Sequence, residues 1–110
     1  MAKYVPDKGD IVLLDFDPSA GKEIIKRRPA LVISRQSFND HTGFSIVAPI
    51  TSTVRGMALE IPLQGTATNG AVLMYQLRSL DVVSRNVSFV EKAPASIINK
   101  ATEIALTVIR

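Results

Sequence analysis

Residues 9–34 read GDIVLLDFDPSAGKEIIKRRPALVIS, in which two apolar runs flank a long polar segment. Alternate side chains of the first run, residues 11–16, would share one buried face in an extended strand; they are Val12, Leu14 and Phe16. The second run, residues 30–34, is almost entirely apolar. We therefore predict two strands joined by a polar loop over residues 17–28, and loops of this length in small domains often carry function.

Outward from this pair the chain keeps alternating short apolar runs with turn-forming residues. Residues 35–43 predict one helical turn, and further strand-like runs cover residues 44–50, 57–63, 71–76, 80–83 and 87–90. Pro49 indicates an edge strand or a bulge in the first of these runs. The Asn69-Gly70 pair indicates a turn.

The last segment changes from strand to helical periodicity. From about Pro94 the apolar residues recur at helical spacing and predict one amphipathic helix with its stripe against the sheet; they are Ile97, Ile98, Ala101, Ile104, Ala105 and Val108. Many short strands and one terminal helix predict a mainly β fold, a small antiparallel, partly closed barrel. With 110 residues, the chain fits a single domain over residues 1–110.

Composition excludes several classes of function. The chain has no cysteine and one histidine, so thiol catalysis is excluded and a structural zinc site is not expected. The first residues lack a signal-peptide core, and no stretch is long and apolar enough to cross a membrane. We expect a cytoplasmic protein whose net charge of +3 favours polyanionic partners.

The polar segment crowds basic side chains around a single acid, Glu23; these are Lys22, Lys26, Arg27 and Arg28. Pro29 disfavours helical geometry at Arg28 and favours an extended backbone where the next strand begins. A guanidinium there can hold two phosphate oxygens at once and keeps its charge near neutral pH. The alternative is that these charges only solvate a surface loop, as most charge runs do.

Several fragments, in this order along the chain, resemble the MazF/PemK/Kid family of toxin–antitoxin endoribonucleases. They are GDIVLLDFDPSAGKE (9–23), RRPALVIS (27–34), SFN (37–39), VAPITS (47–52) and NGAVLMYQLRSLD (69–81). The resemblance covers nearly the whole chain and implies an SH3-like barrel of the CcdB/Kid/MazF type. It also implies a homodimer that cuts single-stranded mRNA without a cofactor or metal and is blocked by a MazE-like antitoxin.

The resemblance implies cleavage through attack of a ribose 2′-hydroxyl on the adjacent phosphate, leaving a 2′,3′-cyclic phosphate and a 5′-hydroxyl. On this basis Arg28 would stabilise the transition state, and Thr51, in Pro49-Ile50-Thr51, would hold a phosphate oxygen or the nucleophile. Outside the family, such a threonine usually forms a turn. Glu23 is the best candidate for the base, and its alternative is an ordinary ion pair with Lys26 or Arg27.

The departures from the family pattern leave the acid and base open. Some members carry a histidine where this chain has Lys22, and others carry an acid and an arginine where it has Tyr75 and Leu73. The chain therefore resembles an arginine-threonine branch. His41 lies in a turn far in sequence from the arginine loop, so we do not expect it to act in catalysis.

RNA contacts beyond the reacting phosphate are expected from polar and basic side chains in the loops and in the stretch that resembles the family's QxR motif. The candidates are Lys22, Lys26, Arg27, Ser52, Arg55, Gln76, Arg78 and Ser79. Gln76 and Arg78 rank highest but could instead brace the barrel or a dimer. Tyr75 could stack a base, although we place it in the core.

Two other functions stay open from the sequence. One is a non-enzymatic toxin like those of the CcdB family, which act on DNA gyrase; such a toxin would need neither Arg28 nor Thr51. The other is an inactive homologue that only binds RNA or an antitoxin.

Overall fold

A computed structural model describes residues 3–16, 27–54 and 56–110. The strands are β1 (Asp10–Asp15), β2 (Arg27–Val32), β3 (Ser45–Thr51), β4 (Glu60–Pro62), β5 (Ala71–Leu73), β6 (Arg78–Leu80) and β7 (Ser88–Lys92). The helices are α1 (Gln36–Thr42) and α2 (Ala95–Ile109), and a 3-10 turn covers Met74–Gln76. Most of the predicted loop, residues 17–26, lies outside the described residues.

The strands form one seven-stranded antiparallel sheet in the order β4-β5-β3-β2-β1-β7, with β6 also paired to β3. β3 is central. Along one edge it pairs with β2, and along the other its first half pairs with β6 and its last residues with β5. We predicted that Pro49 marks an edge strand or a bulge. The edge strand was wrong, because β3 is paired along both sides. Pro49 lies where β6 gives way to β5, a gap in the ladder that tolerates a residue without an N–H.

Alternation along the strands builds a core on each side of the sheet. Ile11, Leu31 and Ala48 face α2 and pack with its buried residues. Val12, Leu14 and Phe16 face the other way and pack together with Val47 and Leu80, which confirms the shared face predicted for β1. Each fully buried aliphatic side chain contributes roughly 1.5–3 kcal/mol, so both cores stabilise the sheet.

The C-terminal helix is confirmed, with Pro94 at its N-cap. Its buried side chains are Ile97, Ala101 and Ala105. The predicted stripe was wrong at its end, because Val108 is 55% exposed. The last turn extends past the apolar cluster, and Leu106 and Ile109 are exposed there as well.

Several strands are shorter than, or displaced from, their apolar runs. β4 occupies only the end of the run 57–63, because Leu59 adopts a left-handed conformation with φ 70°. The run 71–76 leaves the sheet after Leu73, β6 precedes most of the run 80–83, and β7 begins one residue after Val87. α1 makes two turns instead of the predicted one.

Within the described residues the sheet does not close into a barrel. Among the described residues no strand pairing joins β4 to β7, the two ends of the sheet. A side chain bridges them instead: the Glu91 carboxylate of β7 accepts hydrogen bonds from the backbone N–H groups of Ala67 and Thr68 and from the Thr68 hydroxyl, at 2.8–3.0 Å. The predicted mainly β, antiparallel fold with a C-terminal helix is therefore confirmed.

The Glu91 bridge predicts an acid-sensitive stability. The Ala67 N–H bond lowers the pKa of Glu91 below its usual 4.5, against the opposing effect of burial, and the Thr68 bonds lower it further. Because the pKa of Glu91 is lower in the folded state than in the unfolded state, its ionised carboxylate stabilises the fold at any pH above the unfolded pKa. This stabilisation is lost as the pH falls through the folded pKa. We expect Glu91→Gln to lower Tm at neutral pH and to flatten its fall below about pH 5.

The measurement is thermal unfolding from about pH 7 to 3, with Glu103→Gln on the exposed side of α2 as the charge-matched control. Parallel pH curves for Glu91→Gln and the parent would contradict the prediction.

Gly70 allows a close backbone approach beside β3. Its φ is +124°, and a Cβ at this position would overlap the carbonyl oxygen of Thr51. We expect Gly70→Ala to destabilise the fold by about 2–4 kcal/mol, from backbone strain together with the displaced strand end. Gly43, with φ +78° and nothing within 4 Å of an added Cβ, is the matched control and should cost only about 1 kcal/mol. Equal losses in urea unfolding would show that the contact with Thr51 has no effect.

Candidate active site

The pairing of β2 with β3 places Arg28 next to Thr51. The ladder runs from Val32↔Val47 to Ala30↔Pro49. Extending this register by two residues would place Arg28 opposite Thr51. Both share the sheet face of Ala30 and Val47, which is the face turned away from α2.

An open cavity of about 360 Å³ lies over this pair. Its lining residues are Arg27, Arg28, Pro29, Ile50, Thr51, Ser52, Thr53 and Asn69. Two predicted catalytic residues, Arg28 and Thr51, and two predicted RNA contacts, Arg27 and Ser52, are thus brought together.

The side chain of Arg28 borders the cavity. Arg28 is exposed as the second residue of β2, which confirms the extended backbone predicted from Pro29. Within the described part of the chain it makes no side-chain hydrogen bond or ion pair, so its donors face the cavity uncommitted. An uncommitted fork of donors suits a phosphate group.

The hydroxyl of Thr51 is held by the backbone that follows it. The Thr53 N–H donates to Thr51 Oγ1 at 3.1 Å. The oxygen serves as acceptor in this bond, so its proton stays available to a phosphate oxygen in the cavity. The threonine therefore forms a turn and presents a donor at the same time.

Arg27 is committed elsewhere although it borders the cavity. Its guanidinium donates to the Leu13 carbonyl at 3.2 Å and to the Ser88 hydroxyl at 2.9 Å, and lies 3.6 Å from the Asp15 carboxylate. These contacts tie β2 to β1 and β7. Its predicted role in RNA binding stays a prediction, beside this observed structural one.

The other predicted RNA contacts are dispersed. Gln76 lines a smaller cavity that adjoins the first at Thr51 and Thr53. Arg78 and Ser79 are exposed on β6, where the Arg78 guanidinium lies 5.6 Å from the ring centre of Phe16. The remaining predicted site residues lie outside the described residues; they are Lys22, Glu23, Lys26 and Arg55.

Two further residues of the sequence analysis are placed by the structure. Tyr75 is 41% exposed, so our preference for a core position was wrong: the 3-10 turn after β5 directs it outward. His41 is exposed in the last turn of α1 and lines neither cavity, as expected for a residue outside catalysis.

Sequence reasoning missed Thr53 and Asn69 as cavity residues. We read Asn69 only as part of a turn. The pairing of Thr51 with Ala71 brings this turn to the cavity, and only knowledge of that pairing could have revealed it.

In the described ranges there is no group of three or more His, Cys, Asp or Glu side chains placed to hold a metal ion. None of the helices there has the length and apolar character needed to cross a membrane.

Known proteins are similar to this chain in both sequence and fold. The endoribonuclease toxin MazF of Escherichia coli K12 is 38% identical over 80 residues, covering 73% of this chain and 72% of the relative. The endoribonuclease toxin ChpB of the same strain is 35% identical over 101 residues, 86% of both chains. A chain in the MazE-MazF crystal structure (Form-II) from Deinococcus radiodurans superposes with a TM-score of 0.90 at 37% identity, covering 97% of each chain.

A family model described as the PemK-like, MazF-like toxin of type II toxin-antitoxin systems matches residues 7–108. This match spans nearly the whole chain, including both strands that carry Arg28 and Thr51. The protein therefore belongs to the PemK-like and MazF-like family of type II toxin–antitoxin toxins.

Proposed function

We propose that this protein is a toxin that cuts single-stranded RNA, chiefly mRNA, at defined sequences. The observation that carries the proposal is that Arg28, which has no side-chain hydrogen bond or ion pair within the described residues, lines one open cavity together with the oriented Thr51. A free guanidinium beside a hydroxyl suits a phosphodiester. Relatives such as MazF and ChpB of Escherichia coli are named endoribonuclease toxins, which supports the same activity here.

In the proposed reaction the ribose 2′-oxygen attacks the adjacent phosphorus. The new 2′-O–P bond forms as the P–O5′ bond breaks, which gives a 2′,3′-cyclic phosphate and a 5′-hydroxyl. A base takes the 2′-hydroxyl proton, and an acid supplies a proton to the leaving 5′-oxygen. Negative charge grows on the non-bridging oxygens, and the Arg28 guanidinium offsets it.

Within this scheme Arg28 clamps the phosphate, and the Thr51 hydroxyl donates to one of its non-bridging oxygens. The guanidinium supplies the positive charge, so we propose that the reaction proceeds without a metal or cofactor. Glu23 is the proposed base. It lies outside the described residues, three positions before the end of the segment that leads into β2, and its assignment rests on the family resemblance.

The RNA would extend from the reacting phosphate along both cavities. Ser52 borders the Arg28 cavity and Gln76 the adjoining one, which supports contacts to neighbouring nucleotides. The other proposed contacts supply charge or hydrogen bonds to the strand; they are Lys22, Lys26, Arg27, Arg55, Arg78 and Ser79. A net charge of +3 favours association with the polyanion.

We further propose a cytoplasmic homodimer that is neutralised by a MazE-like antitoxin. The MazE-MazF crystal structures from Deinococcus radiodurans, whose chains resemble this one, support an antitoxin partner. The exposed apolar end of α2, at Leu106, Val108 and Ile109, supports a two-fold interface.

Removal of the guanidinium tests the proposal directly. We expect the parent to cut a long single-stranded RNA in EDTA and Arg28→Ala to cut it about 100- to 1,000-fold more slowly, because a transition-state contact is lost. The readouts are single-turnover rates and the chemistry of the new ends. Arg35→Ala, an exposed arginine before α1, is the matched control and should cut like the parent. An intact RNA with the parent would contradict the proposed activity.

The Thr51 hydroxyl is tested with an isosteric pair. Thr51→Val keeps the shape of the side chain and removes its donor, and we expect turnover to fall about 10- to 100-fold with a smaller change in KM. Thr51→Ser keeps the donor and should stay within a few-fold of the parent. Valine and serine variants of equal turnover would show that the hydroxyl takes no part.

A further inference from the structure

Glu60 carries a buried carboxylate that has no hydrogen-bond partner among the described residues. Both of its carboxylate oxygens are buried, and neither accepts a hydrogen bond within the described residues. Such a group is costly to the fold, because a carboxylate removed from water needs donors to replace its hydration. A polar group in this state calls for a functional or structural explanation, so its position relative to the candidate active site is informative.

Register places Glu60 on the same side of the sheet as Arg28 and Thr51. Ile50, Val72 and Ile61 are mutually paired or neighbouring residues of β3, β5 and β4, and all face α2. Glu60 pairs with Leu73, one residue away from that set, so both lie on the opposite face. Thr51 pairs with Ala71 on this face as well.

A cavity connects the acid to the candidate active site. It measures about 110 Å³ and is lined by Thr51, Thr53, Glu60, Leu73, Tyr75 and Gln76. Thr51 and Thr53 also border the Arg28 cavity, so the two cavities adjoin at these residues. A nucleotide whose phosphate lies at Arg28 and Thr51 would have a neighbouring base within reach of this second cavity.

The side chains around Glu60 suit a flat ring with donors on its edge. Tyr75 is 41% exposed, and its hydroxyl has only a long 3.9 Å contact with the sulfur of Met57 among the described residues. The tyrosine is therefore loosely held and can offer its ring for stacking or move to uncover the acid. The Gln76 amide adds one donor group and one acceptor.

Charge decides which ring fits. A carboxylate only accepts hydrogen bonds, so it repels a phosphate and favours N–H donors. Adenine, cytosine and guanine each carry an amino group on the Watson–Crick edge, which single-stranded RNA leaves free for reading. Uracil presents carbonyl oxygens on either side of its single N–H, and these would face the carboxylate oxygens unfavourably.

We propose that the Glu60 cavity is a nucleobase pocket that selects an amino-bearing base over uracil at a nucleotide beside the cleaved phosphate. This inference rests on the proposed function, because it takes the phosphate to lie at Arg28 and Thr51. It assigns Glu60 to specificity and leaves the reacting atoms to the neighbouring cavity.

The test replaces the acid with its neutral isostere. The Glu60→Gln side chain offers both donors and an acceptor, so it should accept uracil where the parent rejects it. We expect the parent to prefer an amino-bearing base roughly tenfold or more at one position beside the cut, and Glu60→Gln to lose most of this preference. The measurement is cleavage of RNAs that differ only in single nucleotides flanking the cut. Glu103→Gln on α2 is the matched control and should keep the parent's preference.

A second measurement does not depend on cleavage. Short RNAs with 2′-methoxy groups cannot react, so their binding to the parent and to Glu60→Gln reports the pocket alone. The same loss of preference in binding is expected. If the parent binds with this preference but cuts no RNA, the proposed reaction fails and the pocket stands.

Other outcomes overturn the pocket. The pocket is overturned if Glu60→Gln keeps the parent's base preference. It is also overturned if the variant loses cleavage and binding to the same extent on every RNA sequence. Folding is checked by Tm, which should be no lower than that of the parent, because the variant removes a buried charge without a partner.

Discussion

The β2–β3 ladder is the constraint on which the candidate active site depends. Its register, fixed by Ala30↔Pro49 and Val32↔Val47, brings Arg28 and Thr51 to the same cavity although 22 intervening positions separate them in the chain. Both strands have apolar side chains on each face, so the cores on the two sides hold this register. A slip by one residue would turn the arginine toward α2 and remove it from the cavity.

Around Arg28 and Thr51, the position of each neighbouring residue in its strand decides whether it has a structural role or faces the cavity. Arg27 and Arg28 are adjacent and chemically identical, yet strand alternation sends one to brace β1 and β7 and the other to the open cavity. Gly70 lets a turn approach the Thr51 carbonyl, and the Thr53 N–H holds the Thr51 hydroxyl. The site is thus positioned largely by backbone groups, which costs little side-chain entropy when a ligand binds.

Much of the fold could be predicted from the sequence, because long periodic segments such as β1 and α2 carry their pattern within themselves. The short strands could not, since their ends depend on partners distant in sequence: Pro49 is tolerated in a central strand only because β6 and β5 share one edge of β3. The same dependence on distant strand partners explains which site residues the sequence could identify and which it could not. Arg28 and Thr51 lie in fragments that resemble a known family, whereas Asn69 and Glu60 reach the cavities through strand pairing that no local pattern encodes.

The Glu91 bridge also bears on how copies of this chain avoid one another. Among the described residues β7 ends the sheet, and a free strand edge with exposed side chains such as Phe89 and Val90 is a template for pairing with another chain. Glu91 fastens the backbone of Ala67 and Thr68 to this end strand. A loop covering a strand edge is one of the means by which proteins disfavour edge-to-edge pairing, so the same carboxylate that links the loop to β7 also places a cover beside it.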